Sequence, residues 1–361
     1  MNDFINTYDV IGDDALVDSI IDCTITECVS DEPKTIGQRA FIYRTMLEKV
    51  NFPSVKIIGD EAFIYCESLT EANFPSAEVV GEQAFNALSN LSNISFPSVV
   101  DVGYRSFCAC GMENIDFPLL KNVGSNAFGG CKSLKNINIP LLEMSSYAMF
   151  ENCTSLTEIS FPLLTEMMST SFKGCTNLAY VHCPSLTKIG DYALSKTALT
   201  SVDFPLVTSI GQYAFYECPS LKSVELPQAT IIQSQAFQYC TLLSDVYIPN
   251  VTTIESAAFA YCTSLISIDL PSVTSLGAVF GRCSNLKTLI LRSNTMCVAT
   301  STNIGSNNLF SQGTGYIYVP AALIDTYKND EVWSNYASQF RVLENYTVDG
   351  TTTGALDPTK I

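Results

Sequence analysis

Apolar positions recur along this chain in a fixed pattern with a period of about 22 residues, within the range of stacked repeat units. The stretch Phe52–Asn73, FPSVKIIGDEAFIYCESLTEAN, shows it whole: Phe-Pro, four variable residues, Ile-Gly, two variable residues, Ala-Phe, two more and Cys. A Leu, two variable residues, an apolar residue and a polar one come next, and Phe74-Pro75 begins the following copy. The opening prolines are Pro53, Pro75, Pro97, Pro118, Pro140, Pro162, Pro184, Pro205, Pro227, Pro249 and Pro271, evenly spaced except for two steps that are one position shorter. Such a period predicts a solenoid, in which each unit buries its apolar face only by stacking on the next. The segment L-x-x-V-x-F, as in Leu47 to Phe52 and Leu199 to Phe204, predicts a short strand with Leu, Val and Phe inward and the residues between them outward. Successive strands are expected to lie parallel in one long sheet. Proline ends each strand because it has no N–H for the ladder. The V-T-S-I-G segment is expected to return along a second face, with Gly supplying a turn. Ala-Phe-x-x-Cys predicts a compact turn or a single helical turn that packs Phe and Cys inward.

The flanks read differently. Residues 1–33 are expected to form an N-terminal cap, with a short helix over Asp13–Ile21 and a strand over Thr24–Val29. The solenoid is expected over 34–291, a C-terminal cap over 292–345 and an extended tail over 346–361. In the C-terminal part, Ser293–Gly315 predicts a covering loop and Tyr316–Val319 a last strand. Two helical segments, Pro320–Tyr327 and Glu331–Ser338, are expected next, with Trp333, Tyr336 and Phe340 plugging the open end. Some copies depart from the template: Ser145-Ser146 replaces Ile-Gly, Met167-Met168 occupies the same pair one copy later, and the seventh copy lacks its Cys.

Composition narrows the partners. The 361 residues are 47% hydrophobic and only 15% charged, which suits a core running the length of an array. A net charge of −17 disfavours duplex nucleic acid and anionic membranes. No run approaches the ~20 apolar residues of a membrane span. The opening MNDFINTYDVIGDD has neither the basic nor the apolar part of a secretory leader. The expected location is extracellular or particle-associated after release, with the cytoplasm as the alternative. Of fourteen cysteines, nine share one register slot: Cys66, Cys110, Cys131, Cys153, Cys175, Cys218, Cys240, Cys262 and Cys283. Leu88 fills that slot in one copy, so the expectation is a column of buried free thiols rather than a disulfide framework. With one His and no CxxC, no metal site is expected, and no cofactor.

The template Phe-Pro…Ile-Gly-x-x-Ala-Phe-x-x-Cys-x-x-Leu resembles the BspA-type leucine-rich repeat over roughly 34–291. The segment Leu289–Phe340 resembles the C-terminal cap found behind such arrays in proteins of gut bacteria and their phages, and the tail is similar to the stretch that succeeds that cap. The resemblance implies an α/β repeat fold: a right-handed leucine-rich-repeat solenoid of about twelve repeats, each of roughly 21–22 residues, with a parallel sheet on one face and a cap at each end. It implies a cell-surface, secreted or phage-associated interaction protein, such as an adhesin or a host- or matrix-binding protein.

Strand register names the outward side chains of the sheet. The candidate ligand-binding residues are Glu71, Asn73, Asn114, Asp116, Asn136, Asn138, Glu158, Tyr180, His182, Asp203, Glu225, Asp245, Tyr247 and Asp269. The face extends from Lys49 and Asn51 to Thr288 and Ile290. Carboxylates, amides and aromatic rings suit carbohydrate hydroxyls or a basic protein patch, so the expected partner is a protein or carbohydrate on a host or bacterial surface. Asp245 and Asp269 lack the loop oxygens that calcium requires. Ser160, His182 and Asp203 fall in one column on three successive rungs, the residue set of a nucleophilic triad. No strained nucleophile turn, oxyanion loop or pocket accompanies them, so the chain is expected not to be an enzyme. The expected function is non-enzymatic interaction or adhesion through the sheet face or rim. The alternatives are a structural component of a virion or secreted assembly docking through its caps or tail, and, most remotely, a hydrolase built on those three residues.

Overall fold

A computed structural model describes residues 10–11, 26–29, 34–301, 304 and 314–343. The expected helix over 13–21 and the tail 346–361 lie outside the described residues. The chain is a parallel-strand solenoid of about 14 turns with few helices. It exceeds the expected twelve repeats because strands outside the strict template, Glu27–Val29 and Tyr316–Val319, join the same ladders. Two compact units are distinguished, Met1–Leu186 with Tyr192–Ala198, and Thr187–Asp191 with Leu199–Ile361.

In the first unit, Glu27–Val29, Lys49–Asn51, Glu71–Asn73 and Asn93–Ser95 pair in parallel, each strand one repeat on from the last. Asn114–Asp116 pairs with Asn136–Asn138, and Glu158–Ser160 with Tyr180–His182. The return segment, expected only as a connection, forms a second parallel ladder through Thr35–Ile36, Ile57–Ile58, Val79–Val80, Asp101–Val102 and Asn122–Val123. The second unit repeats the plan. Ser201–Asp203, Ser223–Glu225 and Asp245–Tyr247 form one ladder, and Ser267–Leu270, Thr288–Leu291, Tyr316–Val319 and Phe340–Val342 another. Its return ladder runs from Lys188–Ile189 to Val298–Ala299. The final strand Phe340–Val342 is not visible in the sequence pattern.

The Ala-Phe-x-x-Cys turn forms a third set of inter-rung bonds. Glu61 donates its amide to the Glu82 carbonyl at 2.7 Å and Phe63 donates to Ala84 at 2.8 Å, and the pattern recurs in later copies. Aiming these amides at the next rung requires left-handed backbone at two sites per turn, as at Glu61 (φ 55°) and Tyr65 (φ 63°). Outside glycine that conformation costs roughly 1–2 kcal/mol per residue, which the inter-rung bonds offset.

The template glycines do not serve this turn. Gly59, Gly81, Gly103 and Gly124 are stacked, and a Cβ on Gly81 would lie 2.6 Å from the Gly59 carbonyl carbon. Close approach between these rungs, rather than the expected turn geometry, leaves no room for a side chain at the stacked glycines. Where Ser146 takes the slot, its hydroxyl reaches back to the Gly124 carbonyl at 2.9 Å.

The core is a column of phenyl rings. In the first unit Phe41, Phe63, Phe85, Phe107, Phe128, Phe150 and Phe172 stack at centroid spacings of 4.8 to 5.8 Å. Phe215, Phe237, Phe259 and Phe280 continue the pattern in the second. Each fully buried ring contributes about 2–3 kcal/mol before chain entropy is counted. The cysteines beside them are free and, in the shared slot, buried. Each thiol does more than fill space. Cys66 donates to the Phe41 carbonyl at 3.0 Å, Cys153 to Phe128 at 3.2 Å and Cys262 to Phe237 at 3.3 Å, always to the rung before. Burial pushes the Cys66, Cys131, Cys175 and Cys283 thiols up to about 12. In the copy without Cys, buried Thr197 takes the slot and bonds the Leu194 carbonyl at 2.9 Å.

At the C-terminal end, Ala321–Leu323 and Trp333–Gln339 are 3₁₀ turns around a short helix, Ile324–Asn329. Trp333, Tyr336 and Phe340 are buried as expected, joined by Tyr327. The Trp333 indole donates to the Cys297 carbonyl at 2.7 Å, and the Tyr327 hydroxyl accepts the Cys297 amide at 2.8 Å.

Candidate functional site: the solenoid sheet face

Three-residue strands whose central side chain turns inward leave two outward side chains per rung. In the first unit Asn114, Asp116, Asn136, Asn138, Glu158, Tyr180 and His182 are exposed, while Glu71 and Asn73 are half-buried. Many of these polar groups are satisfied by the neighbouring rung. Asn73 donates its amide to Asn51 Oδ1 at 2.8 Å, Asn136 to Asn114 at 2.7 Å and Asn138 to Asp116 Oδ1 at 2.7 Å. Lys49 pairs with Glu71 at 3.4 Å, and Lys135 with Glu113 at 3.0 Å beside the strand. An open trough of about 330 Å³ is lined by Asn136, Glu158, Ser160, Tyr180 and His182, with Lys135 at its edge.

The catalytic reading fares poorly in this geometry. Ser160 and His182 are register partners on adjacent strands, yet no side-chain hydrogen bond joins them. The imidazole instead lies parallel to the Tyr180 ring, 6.5 Å between centroids. Asp203 belongs to the other unit, where it is paired in register with Glu225. Among the described residues no group of His, Cys, Asp and Glu side chains converges as metal ligands would.

In the second unit Asp203, Glu225, Asp245 and Tyr247 are exposed and Asp269 half-buried. They line an open trough of about 550 Å³ together with Ser201, Ser223, Ser267 and Ile290. Asp245 accepts the Ser244 hydroxyl at 2.7 Å. Asp269 is not free for a ligand: the Arg292 guanidinium holds both its oxygens, each 2.7 Å from Nε. Arg292, which stands where the next copy would carry proline, is the residue that sequence reasoning misses. Its place one rung on from Asp269 is the signal that could find it. Ile290, expected on the exposed face, is buried, because its register partner Tyr318 continues the sheet into the C-terminal strands.

A second set of aromatics lies outside the residues picked from sequence. Tyr43 and Tyr65 stack at 4.8 Å on the turn edge of the first unit, and Tyr239 and Tyr261 at 4.2 Å on that of the second. All four occupy left-handed backbone positions.

The model of the BspA type leucine rich repeat region matches residues 21–119, 100–219 and 208–320. The chain belongs to this family. No curated protein matches it. Among solved structures, it is similar to a leucine-rich repeat protein from Bacteroides ovatus, at 24% identity and a TM-score of 0.64 over 87% of this chain and 88% of that one. A leucine rich cell surface protein from Faecalibacterium prausnitzii matches at 22% identity and a TM-score of 0.41, over 79% and 83%. The pneumococcal vaccine antigen PcpA matches at 14% and 0.47, over 89% and 80%. The Bacteroides likeness shows the leucine-rich-repeat fold. Proteins built of such repeats are generally protein-interaction scaffolds. No helix among the described residues is long and apolar enough to cross a membrane.

Proposed function

We propose that this BspA-type repeat protein is a non-enzymatic adhesion or interaction module. It binds a protein or glycan on a host or bacterial surface through its sheet face. One observation carries the reading: Tyr180 and Tyr247 stand 59% and 52% exposed on strands whose central residues, Val181 and Val246, are half-buried. Stacking needs no aromatic ring at either position, since the same register is filled by Asn, Ser and Asp in other copies. Exposed tyrosine beside carboxylates and amides is a surface suited to recognition.

The test is retention on protein and glycan arrays. Tyr180→Ala and Tyr247→Ala should abolish retention of whichever ligand the wild type captures, with circular dichroism and melting temperature unchanged. If both variants bind normally while removal of 346–361 disrupts an assembly, the chain is a structural component and the sheet-face reading fails. A hydrolytic activity lost in Ser160→Ala would equally overturn it.

A further inference from the structure

The two units treat charge on their sheet faces differently. In the first, Lys49 neutralises Glu71 and Asn138 donates to Asp116, and no two acids are register partners among the described strands of this face. In the second, Asp203 and Glu225 are direct register partners on adjacent parallel strands. Both are exposed, and neither carboxylate enters a hydrogen bond or ion pair among the described residues. Asp245 lies one rung further, in the neighbouring column beside Ser223. Lys222 and Lys287 precede the strands but make no ion pair with these acids. Arg292 is committed to Asp269. Like charges directly opposite across a ladder destabilise a sheet. Nothing in the stacking demands this pair, because Ser201 and Ser223 occupy the adjoining column without conflict.

Resting on the sheet-face reading above, we infer that the trough of the second unit docks a cationic polypeptide segment, bearing arginine or lysine. Parallel rungs ~4.8 Å apart hold the two carboxylates within reach of one cation. A guanidinium presents planar, forked donors that can bond two carboxylates at once, whereas a neutral sugar brings no charge to relieve the repulsion. Tyr247, the register partner of Glu225, offers its exposed ring beside that position, where a guanidinium or its stem stacks favourably. The trough is open along several rungs, so an extended segment lies across it without rearrangement.

Fluorescence anisotropy with a labelled oligo-arginine peptide tests this on the full chain, at low and at physiological salt. Asp203→Asn with Glu225→Gln should weaken binding by about tenfold or more, as loss of paired charges at an interface does. An equal charge change off the sheet face of the other unit, at exposed Glu67→Gln with Glu143→Gln, should weaken it less than about twofold. Because the pair is repulsive in the free protein, the Asp203→Asn/Glu225→Gln variant should also melt higher than wild type while binding less. Equal losses in both double variants would mean that only net charge attracts the peptide, and would overturn the inference. So would unchanged binding, or a lower melting temperature, in the Asp203/Glu225 variant. If these failures come while Tyr180→Ala and Tyr247→Ala still abolish capture of an array ligand, the sheet-face function stands and only the cationic partner is refuted.

Discussion

Replacing one thiol in the cysteine column separates packing from hydrogen bonding as the reason for that column. Cys262 is fully buried, and its thiol donates to the Phe237 carbonyl at 3.3 Å. That carbonyl also accepts the Cys240 amide at 3.2 Å, so it keeps a partner when the thiol is removed. Cys262→Ala deletes one buried heavy atom. The transfer loss of a methylene-sized group is about 0.8 kcal/mol, and the residual cavity raises the total to roughly 1–2 kcal/mol. Cys262→Val restores the volume without a donor. Because the carbonyl stays satisfied, its loss should be under about 1 kcal/mol. Urea unfolding followed by fluorescence reads both variants as midpoint shifts, which are comparable provided the slope of each transition matches wild type. A valine variant as unstable as the alanine one would show that the thiol hydrogen bond, not packing, holds the column, and would refute the reasoning. Leu88, which fills the same slot fully buried, is the chain's own precedent for the apolar outcome.

Other consequences are equally open to measurement. Burial raises many of these thiols from 9.0 to about 12, as for Cys66 and Cys283, so the folded chain retains protons that the unfolded chain releases between those values. The stability they contribute is present below pH 9 and is lost as pH rises toward 12; urea midpoints should therefore fall across that window, and less steeply in Cys66→Val. Gly81→Ala should cost about 2 kcal/mol or more, because the new Cβ meets the Gly59 and Asp60 backbone at 2.6–2.7 Å, and thermal melting should show it. Asp269→Asn removes the carboxylate charge that the Arg292 guanidinium, only 5% exposed, holds by both oxygens, and should destabilise by about 2–3 kcal/mol in the same urea assay.

Periodicity makes much of this structure legible before any coordinates. Phe, Leu and Cys at fixed spacing name the core, because in a solenoid a residue's rung position decides its burial. Alternation correctly places Asp203, Glu225 and Tyr247 outward. Three things stay hidden, each for a physical reason. Ile290 is misplaced because its exposure depends on Tyr318, a partner supplied by strands that do not obey the template. The glycine slot reads as a turn, since sequence does not distinguish a need for positive φ from a need for close approach. Left-handed backbone falls on Tyr65, Glu61 and Gln83 instead, where no propensity rule points. The pairing of Arg292 with Asp269 needs the actual rung offset at the end of the array, where the repeat loses its regular spacing.

The measurement that bears most directly on the sheet face is oxidative footprinting of the chain with and without an array-captured ligand. Tyr180 and Tyr247 lie on sheet strands, whereas Tyr43, Tyr65 and Tyr147 are exposed elsewhere on the rungs. If the sheet face binds, ligand shields Tyr180 or Tyr247 and leaves the other three reacting at their free rates. Shielding of Tyr43, Tyr65 or Tyr147, with Tyr180 and Tyr247 unprotected, would place the ligand elsewhere and refute sheet-face binding.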